Sequence, residues 1–454
     1  MSTKDATRIP QIEKILQHSF LAPYIDRLSR PLVTSIVREN VAEYKKSCLE
    51  NGGFSTFDCN KLYALIETRC KKVERQRLKR VINATGVVVH TNLGRSPIDA
   101  DLWQSVTELN TSYCNLELDL QTGKRGKRKG LVPQLMNKLV TGEDTLVVNN
   151  NASSIYLMLH ELAKGKEVIV SRGEQVQIGG GFRIPDILAQ SGAKLVEVGA
   201  TNITTLDDYL DAVTENTSMV LVVHTSNYKI RGFTHSPDLA DLAKHLPEHV
   251  ILAVDQGSGV SSEPFVEEIS VNKYLKSGAD IVCFSGDKII GGPQAGFITG
   301  KQSLIHRMEK NPMMRAFRPG RIVYSLIEEL LVRKLNRDKT GSGVAERRYL
   351  RSKVTLKKMA EQLVAIYPEK LSVQQSDMTI GGGSLPDESY PSWSVKIQLD
   401  KSPERILTLI RNWPIPVIGV VSQDAVFLNM ATLSEDDLNY IAIQLQELFT
   451  PCIL

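Results

Sequence analysis

The chain has few cysteines, six in all at positions 48, 59, 70, 114, 283 and 452, and no two of them form a C-x-x-C pair. Neither a zinc site nor a disulfide framework is implied, and reduced, mostly buried thiols are expected. Long apolar runs are missing as well. The longest aliphatic stretches, such as Met219 to Val223 and Val250 to Val254, fall far short of the roughly 20 apolar residues of a membrane span and read as buried strands. The opening MSTKDATRIPQIEK carries neither the apolar core nor the cleavage site of a secretory signal, so a cytosolic address is expected. There is no G-x-x-x-x-G-K-[ST] and no well-placed G-x-G-x-x-G, which disfavours a nucleotide-phosphate loop. His245 and His249 have i,i+4 spacing, but Pro247 between them breaks the helix that would present both to an ion, and no metal site is expected. An excess of one charge is also lacking: 55 Lys plus Arg against 51 Asp plus Glu leave a net charge of +4, too small to argue nucleic-acid binding.

What is present is ordinary globular material. At 454 residues the chain has room for about three domains, and 42% hydrophobic with 23% charged residues rules out wholesale disorder. The basic residues are unevenly placed. Lys71 to Arg80, KKVERQRLKR, sets six bases against one Glu, and Lys124 to Lys129, KRGKRK, has five bases in six positions with a glycine that marks a turn.

Residues 9 to 50 have apolar positions at mixed three and four spacing, among them Ile12, Ile15, Leu16, Leu28, Leu32, Val33, Ile36, Val37 and Val41, which predicts a small helical domain. NGGFSTFD at 51 to 58 interrupts it, and an increasingly basic helix is expected from Cys59 to Arg80, with a boundary near residue 80. Between 81 and 324 short aliphatic runs (146–148, 168–170, 195–198, 219–223, 250–254 and 281–284) alternate with amphipathic segments such as 155–163 and 236–245. That is the pattern of an α/β fold with a largely parallel sheet covered by helices on both faces. From 325 to 454, charged helices, two strand-like stretches (393–398 and 425–429) and a last helix from Glu435 suggest a smaller α/β domain.

Parallel sheets of this kind bind ligands beyond the carboxyl ends of their strands. After the run 281–284 come Ser285, Gly286, Asp287 and Lys288, followed by a glycine-rich stretch to Gly296. A lysine there can form a Schiff base if burial leaves some of its amine neutral, although a surface turn is an equally simple account of position alone. Asp255 follows the run 250–254 and could face a protonated pyridine nitrogen, or cap a helix. Asn149, Asn150, Asn151, Ala152, Ser153 and Ser154 stand between a strand and a helix and suit a phosphate cradle. Phosphate anchor, aspartate and lysine, each at a strand end, together point to pyridoxal phosphate.

The residues that complete the picture are RVINATGVVVHTNLGRSPI at 80–98, Val147 to Ala152, SRGEQVQIGGGFRIP at 171–185, FSGDKIIGGPQAG at 284–296 and GGGSLP at 381–386. In these, over essentially its whole length, the chain resembles the bacterial selenocysteine synthases, the L-seryl-tRNA(Sec) selenium transferases. The resemblance implies a fold-type I pyridoxal-phosphate transferase assembled as a homodecamer, with residues 1–80 as a tRNA-binding domain. It implies that Lys288 carries the cofactor as a Schiff base, that Asp255 faces the ring nitrogen, that Asn150, Asn151, Ala152 and Ser153 lie near the cofactor phosphate, and that His224 joins the cofactor-binding set. Arg95, Arg315 and Arg318 match arginines that bind the selenium donor, selenophosphate, the latter two from a neighbouring subunit. The implied reaction eliminates the seryl hydroxyl to an aminoacrylyl-tRNA(Sec) and adds selenium at Cβ. A pyridoxal-phosphate lyase or transferase acting on a small amino acid, and a tRNA-binding protein with a degenerate site, are the competing functions.

The chain departs from the resembled pattern at Lys127, Lys129 and Leu131, at Gln175 and Gln177, at Thr225, at Gln256, at Pro319, Gly320 and Arg321, and at Ala431. Most of these positions are expected near substrate or donor, so they bear on substrate identity more than on cofactor use.

Overall fold

The computed structural model describes residues 9–50, 57–175, 177–178, 181–224, 230–261, 268–337, 343–381 and 389–449. The chain divides into two compact units, Met1–Arg80 and Val81–Leu454.

The first unit contains helices α1 (Ile12–Leu16), α2 (Ala22–Leu28), α3 (Arg30–Glu50) and α4 (Cys59–Glu74). On α3 the buried residues are Val33, Ile36, Val37, Val41, Tyr44 and Cys48. Their spacing lays them along one face, which packs with Leu62, Ile66 and Cys70 of α4. Asp58 caps α4 by accepting the amide of Asn60 at 2.8 Å. The helix ends at Glu74 rather than running on to Arg80. Beyond it Arg75 and Lys79 would repel at i,i+4, and Leu78 is fully exposed, with no apolar surface to hold another turn. All six bases of the 71–80 stretch are exposed.

The second unit begins with β1 (Ile82–Asn83) and is built on a seven-stranded sheet of β2 (Asp144–Val148), β3 (Glu167–Ser171), β4 (Lys194–Val198), β5 (Thr217–Val223), β6 (Ile251–Gly257), β7 (Ile281–Ser285) and β8 (Gly296–Gly300). The spatial order is β2-β8-β7-β6-β5-β3-β4. Pairings among β3 to β7 are parallel, and β8 runs antiparallel to both neighbours. Neighbouring residues of a strand enter different cores: Ala253, Ile281 and Cys283 pack in one cluster, Val254, Val282 and Phe284 in another. Both faces are therefore covered, and these strands read as continuous aliphatic runs. The run β8 is absent from the sequence reading because Phe297, Ile298 and Thr299 are bracketed by glycines that read as turn.

Helices α5 (Val132–Leu139), α6 (Asn151–Leu162), α7 (Gln302–Lys310), α8 (Met314–Phe317) and α9 (Arg321–Leu335) belong to this layer. The helix α9 straddles residue 325, and its Leu326, Ile327, Leu330 and Leu331 pack in one core with Val132 and Met136 of α5. After α10 (Lys353–Ile366) comes a four-stranded antiparallel sheet of β9 (Leu371–Met378), β10 (Tyr390–Ile397), β12 (Val420–Ser422) and β13 (Ala425–Asn429). The sequence suggests only two of these strands. The interior of β9 is polar and partly exposed, so it lacks an aliphatic signature. The short β11 (Val417–Ile418) pairs with β1 in parallel, and α12, here Glu435–Phe449, closes the chain after α11 (Pro403–Arg411).

Candidate active site

Three adjacent strand ends carry the chemistry. The register aligns Val223, Asp255 and Cys283 across β5, β6 and β7, with a shift between Asp255 and Gly257 that ends regular pairing at the aspartate. Asp255 is buried. Its carboxylate accepts a bond from Asn151 Nδ2 at 2.7 Å, with Cys283 Sγ 3.6 Å from the same oxygen. Burial raises its pKa, while the Asn151 bond and the nearby Lys288 charge oppose that rise. Lys288 is half-buried as a residue, and desolvation of its amine depresses its pKa, with Asp255 opposing and Arg95 pushing the same way. The shift is toward the neutral amine that a nucleophilic lysine needs.

Asn150 sits at the N-cap of α6, its Oδ1 accepting the Ser153 amide at 2.9 Å and the Ser153 hydroxyl at 3.1 Å. Asn150 is thus a structural cap, and Asn151 reaches the aspartate by its side chain. The amides of Asn151 and Ala152 lie in the first turn, where the helix offers no acceptor of its own. Gly296 lets this turn close on the sheet: a Cβ there would lie 2.2 Å from the Asn150 carbonyl oxygen. Arg95 adopts a left-handed backbone with φ 61° after Gly94 and reaches Asp287 Oδ2 at 2.8 Å. Strain of this kind costs about 1 kcal/mol and is held by surrounding structure. It brings a guanidinium to the residue beside Lys288.

These groups fit pyridoxal phosphate. The Oδ1 of Asn151 and the Oδ1 of Asp287 are buried without a partner among the described residues, so polar capacity faces this region unused. A lysine whose proton affinity is lowered, a buried carboxylate and a helix start with free amides are the groups such a cofactor would require. His224 follows β5, its amide donating to the Asp255 carbonyl at 2.9 Å.

Arg315 and Arg318 lie elsewhere within the chain. They line a cavity of about 510 Å³ with Lys127, Arg128, Lys129 and Glu309, a lining that includes neither Lys288 nor Arg95. Glu309 bridges Lys129 at 2.7 Å and Lys127 at 3.3 Å. Burial works against its charge, yet the two lysines hold its carboxyl below the usual range. Arg318 pairs with Glu117 at 3.3 Å. Asn149 donates to the carbonyls of Phe317 and Ala316 at 2.9 and 3.0 Å, tying this arginine segment to the residue just before the α6 cap.

The remaining departures from the resembled pattern fall variously. Lys127 and Lys129 belong to the basic cavity. Ala431 is fully buried in the core that includes the second sheet. Gly320 is the N-cap of α9, Pro319 accepts from Arg128, and Arg321 donates to the Ser112 carbonyl. The amide of Leu131 donates to Glu328, and Gln177 accepts from Arg183. Gln175 has a buried side-chain nitrogen without a partner among the described residues. Thr225 and residues 382–388, which include most of GGGSLP, lie outside the described residues. Sequence reasoning passed over Glu268 and Tyr274, which hold His224. Nothing in their local pattern marks them.

A largely parallel sheet with a half-buried lysine, a buried aspartate and a helix start after its strands defines a fold-type I pyridoxal-phosphate enzyme. The family model for L-seryl-tRNA selenium transferase matches residues 81–434, and the selenocysteine synthase N-terminal model matches residues 8–44. The chain belongs to the L-seryl-tRNA selenium transferase family. An L-seryl-tRNA(Sec) selenium transferase of Carboxydothermus hydrogenoformans is 38% identical over 443 residues, 95% of each chain. One from Clostridium perfringens is 39% identical over 461 residues, covering 98% of this chain and 99% of that one. Among solved structures, D-glucosaminate-6-phosphate ammonia-lyase superposes with a TM-score of 0.59 at 20% identity, over 82% of this chain and 95% of that one, a likeness of fold. The family's members are pyridoxal-phosphate-dependent transferases that convert seryl-tRNA(Sec) to selenocysteinyl-tRNA(Sec).

Proposed function

We propose that this chain makes selenocysteinyl-tRNA(Sec) from seryl-tRNA(Sec) in the cytoplasm as a homo-oligomer, a homodecamer, with selenophosphate as donor and pyridoxal phosphate bound at Lys288. The observation that carries the reading is buried Asp255 with Asn151 bonded to its carboxylate and the Lys288 charge beside it. Lys288 would hold the cofactor covalently, Asp255 a proton at its ring nitrogen, and the first turn of α6 with Ser153 its phosphate. When bound, pyridoxal phosphate supplies an electron sink for negative charge developing at the seryl Cα. Lys288 Nζ, its proton affinity lowered by burial, takes the Cα proton and can return it after selenium has replaced the hydroxyl at Cβ. Arg95, Arg315 and Arg318 bind the donor's phosphate oxygens through charge-assisted bonds, the latter two offered to the Lys288 site of a neighbouring subunit. Residues 1–80 recognise the tRNA, with the exposed bases of 71–80 on its phosphates.

Two measurements test this. Borohydride reduction followed by peptide mapping should find the cofactor on Lys288; an adduct on another lysine, or no adduct, refutes the site. Incubation with seryl-tRNA(Sec) and selenophosphate should yield an esterified selenocysteine, and unchanged serine would refute the activity.

A further inference from the structure

The imidazole of His224 is engaged at both nitrogens. Nε2 lies 2.9 Å from Glu268 Oε1, and Nδ1 lies 2.8 Å from the Tyr274 hydroxyl, whose ring stands edge-on to the imidazole at 5.9 Å. The Glu268 side chain is almost wholly buried. Its Oε1 is also reached by Gln256 Nε2 at 3.4 Å, and the same amide donates to the Ile269 carbonyl at 3.2 Å while its oxygen accepts from Gly259 at 2.8 Å. Gln256 is fully buried, one residue after Asp255, at a position where the resembled pattern carries leucine. For the imidazole one proton arrangement satisfies both contacts, Tyr274 donating to Nδ1 and Nε2–H to Glu268; the two protons of the Gln256 amide are shared among the Ser258 hydroxyl, the Ile269 carbonyl and, at the longest distance, the Glu268 carboxylate. Burial raises the Tyr274 pKa, so the phenol keeps the proton it donates.

We infer that Gln256, Glu268 and Tyr274 are positioning residues that fix His224 in one orientation and one tautomer beside Asp255, so that the imidazole serves as an oriented ring and not as a proton carrier. A histidine that exchanged protons with substrate would need a free nitrogen, and here releasing one breaks a part-buried hydrogen bond. The inference rests on the reading that Asp255 and Lys288 hold pyridoxal phosphate, whose ring the imidazole would meet.

The test uses the full-length enzyme with its cofactor, and the variants Glu268→Gln, Tyr274→Phe and Gln256→Leu, each alone and combined with His224→Ala. Cofactor content, visible circular dichroism of the Lys288-bound cofactor, kcat and KM are measured. Glu268→Gln and Tyr274→Phe should keep full cofactor content and KM, change the dichroism, and lower kcat about tenfold. In the His224→Ala background they should change neither dichroism nor kcat further, because their action passes through the imidazole. An effect of Glu268→Gln that persists undiminished without His224 overturns the inference. Should Glu268→Gln and Tyr274→Phe fail to fold, Gln256→Leu decides on the same two readouts with an effect of about twofold, and a variant indistinguishable from the parent overturns it. Absence of any cofactor band in the unsubstituted enzyme would instead overturn the underlying cofactor reading, whereas an intact band indifferent to all three substitutions refutes only the positioning network.

Discussion

The Lys288 site and the Arg315–Arg318 cavity belong to one unit, and both are rich in charge, but they handle it in opposite ways. Lys288 is half-buried beside a buried aspartate, and desolvation moves lysine and aspartate alike toward their neutral forms. In the cavity five bases, Lys127, Arg128, Lys129, Arg315 and Arg318, meet the carboxylates of Glu117 and Glu309, and Arg315 makes no ion pair among the described residues. A surplus of positive charge survives there. The first environment suits covalent chemistry by an amine, the second the capture of an anion. Under the proposed function, donor binding and cofactor chemistry fall to separate regions of one chain, which is why that reading places the site between subunits.

The comparison breaks most sharply at Lys288. Lys288→Ala should reduce turnover by roughly a thousandfold or more, since it removes both the covalent anchor and the group that moves the Cα proton. Cofactor should still bind through the α6 turn, so absorbance would report free-aldehyde cofactor while single-turnover assays report almost no product. Retention of substantial turnover would refute the assignment.

At the other region, Arg315→Ala should slow selenium transfer by roughly 10- to 150-fold, the loss of one charge-assisted contact of about 1.5 to 3 kcal/mol. Cofactor absorbance and tRNA binding should stay as they are. Mixing Lys288→Ala protein with Arg315→Ala protein should then restore part of the activity, because some sites would combine an intact lysine with an intact arginine. No recovery after verified subunit exchange counts against a shared site.

A smaller effect is expected from the exposed bases of the first unit. Replacing Arg75, Arg77 and Lys79 by Ala in the full chain should weaken tRNA binding about tenfold near physiological salt and flatten its salt dependence, by a slope of up to about 2. Catalysis at saturating tRNA should change little. Unaltered affinity at matched salt would assign the stretch to some other role.

Legibility in the sequence follows the same divide. Asp255 and Lys288 could be read because buried parallel strands are bare aliphatic runs, and a polar residue just after such a run is conspicuous. Gly296–Gly300 and Leu371–Met378 could not, the one masked by flanking glycines and the other by a polar, half-exposed interior. Asn150 was legible only as a small polar residue, and its capping role needed the geometry. Glu268 and Tyr274 were invisible because their meaning comes from a fold-back across strand ends that brings them to His224, dozens of residues away in sequence. The basic run 124–129 announced charge but not its fate: Arg125 and Arg128 are spent on Glu117, and Lys127 and Lys129 on Glu309.

Glu174 sharpens the comparison with a third case, a buried carboxyl that has no cation partner among the described residues. It accepts only the Val223 amide, at 2.8 Å, and burial pushes its pKa up to about 8 from an ordinary value of 4.5. The folded protein therefore binds this proton more tightly than the unfolded chain. The resulting stability is fully present below about pH 4.5 and is lost as pH rises through about 8. Glu174→Gln keeps an acceptor for Val223 and removes the ionisation, so its melting temperature should fall less than the parent's between pH 6 and pH 9. Because the residue as a whole retains some exposure, the difference should be about 1 to 2 kcal/mol rather than the full value of the shift. Parallel melting curves for the two proteins would indicate that the carboxyl ionises freely in the folded state, leaving Lys288 and Asp255 as the place where burial moves charge most.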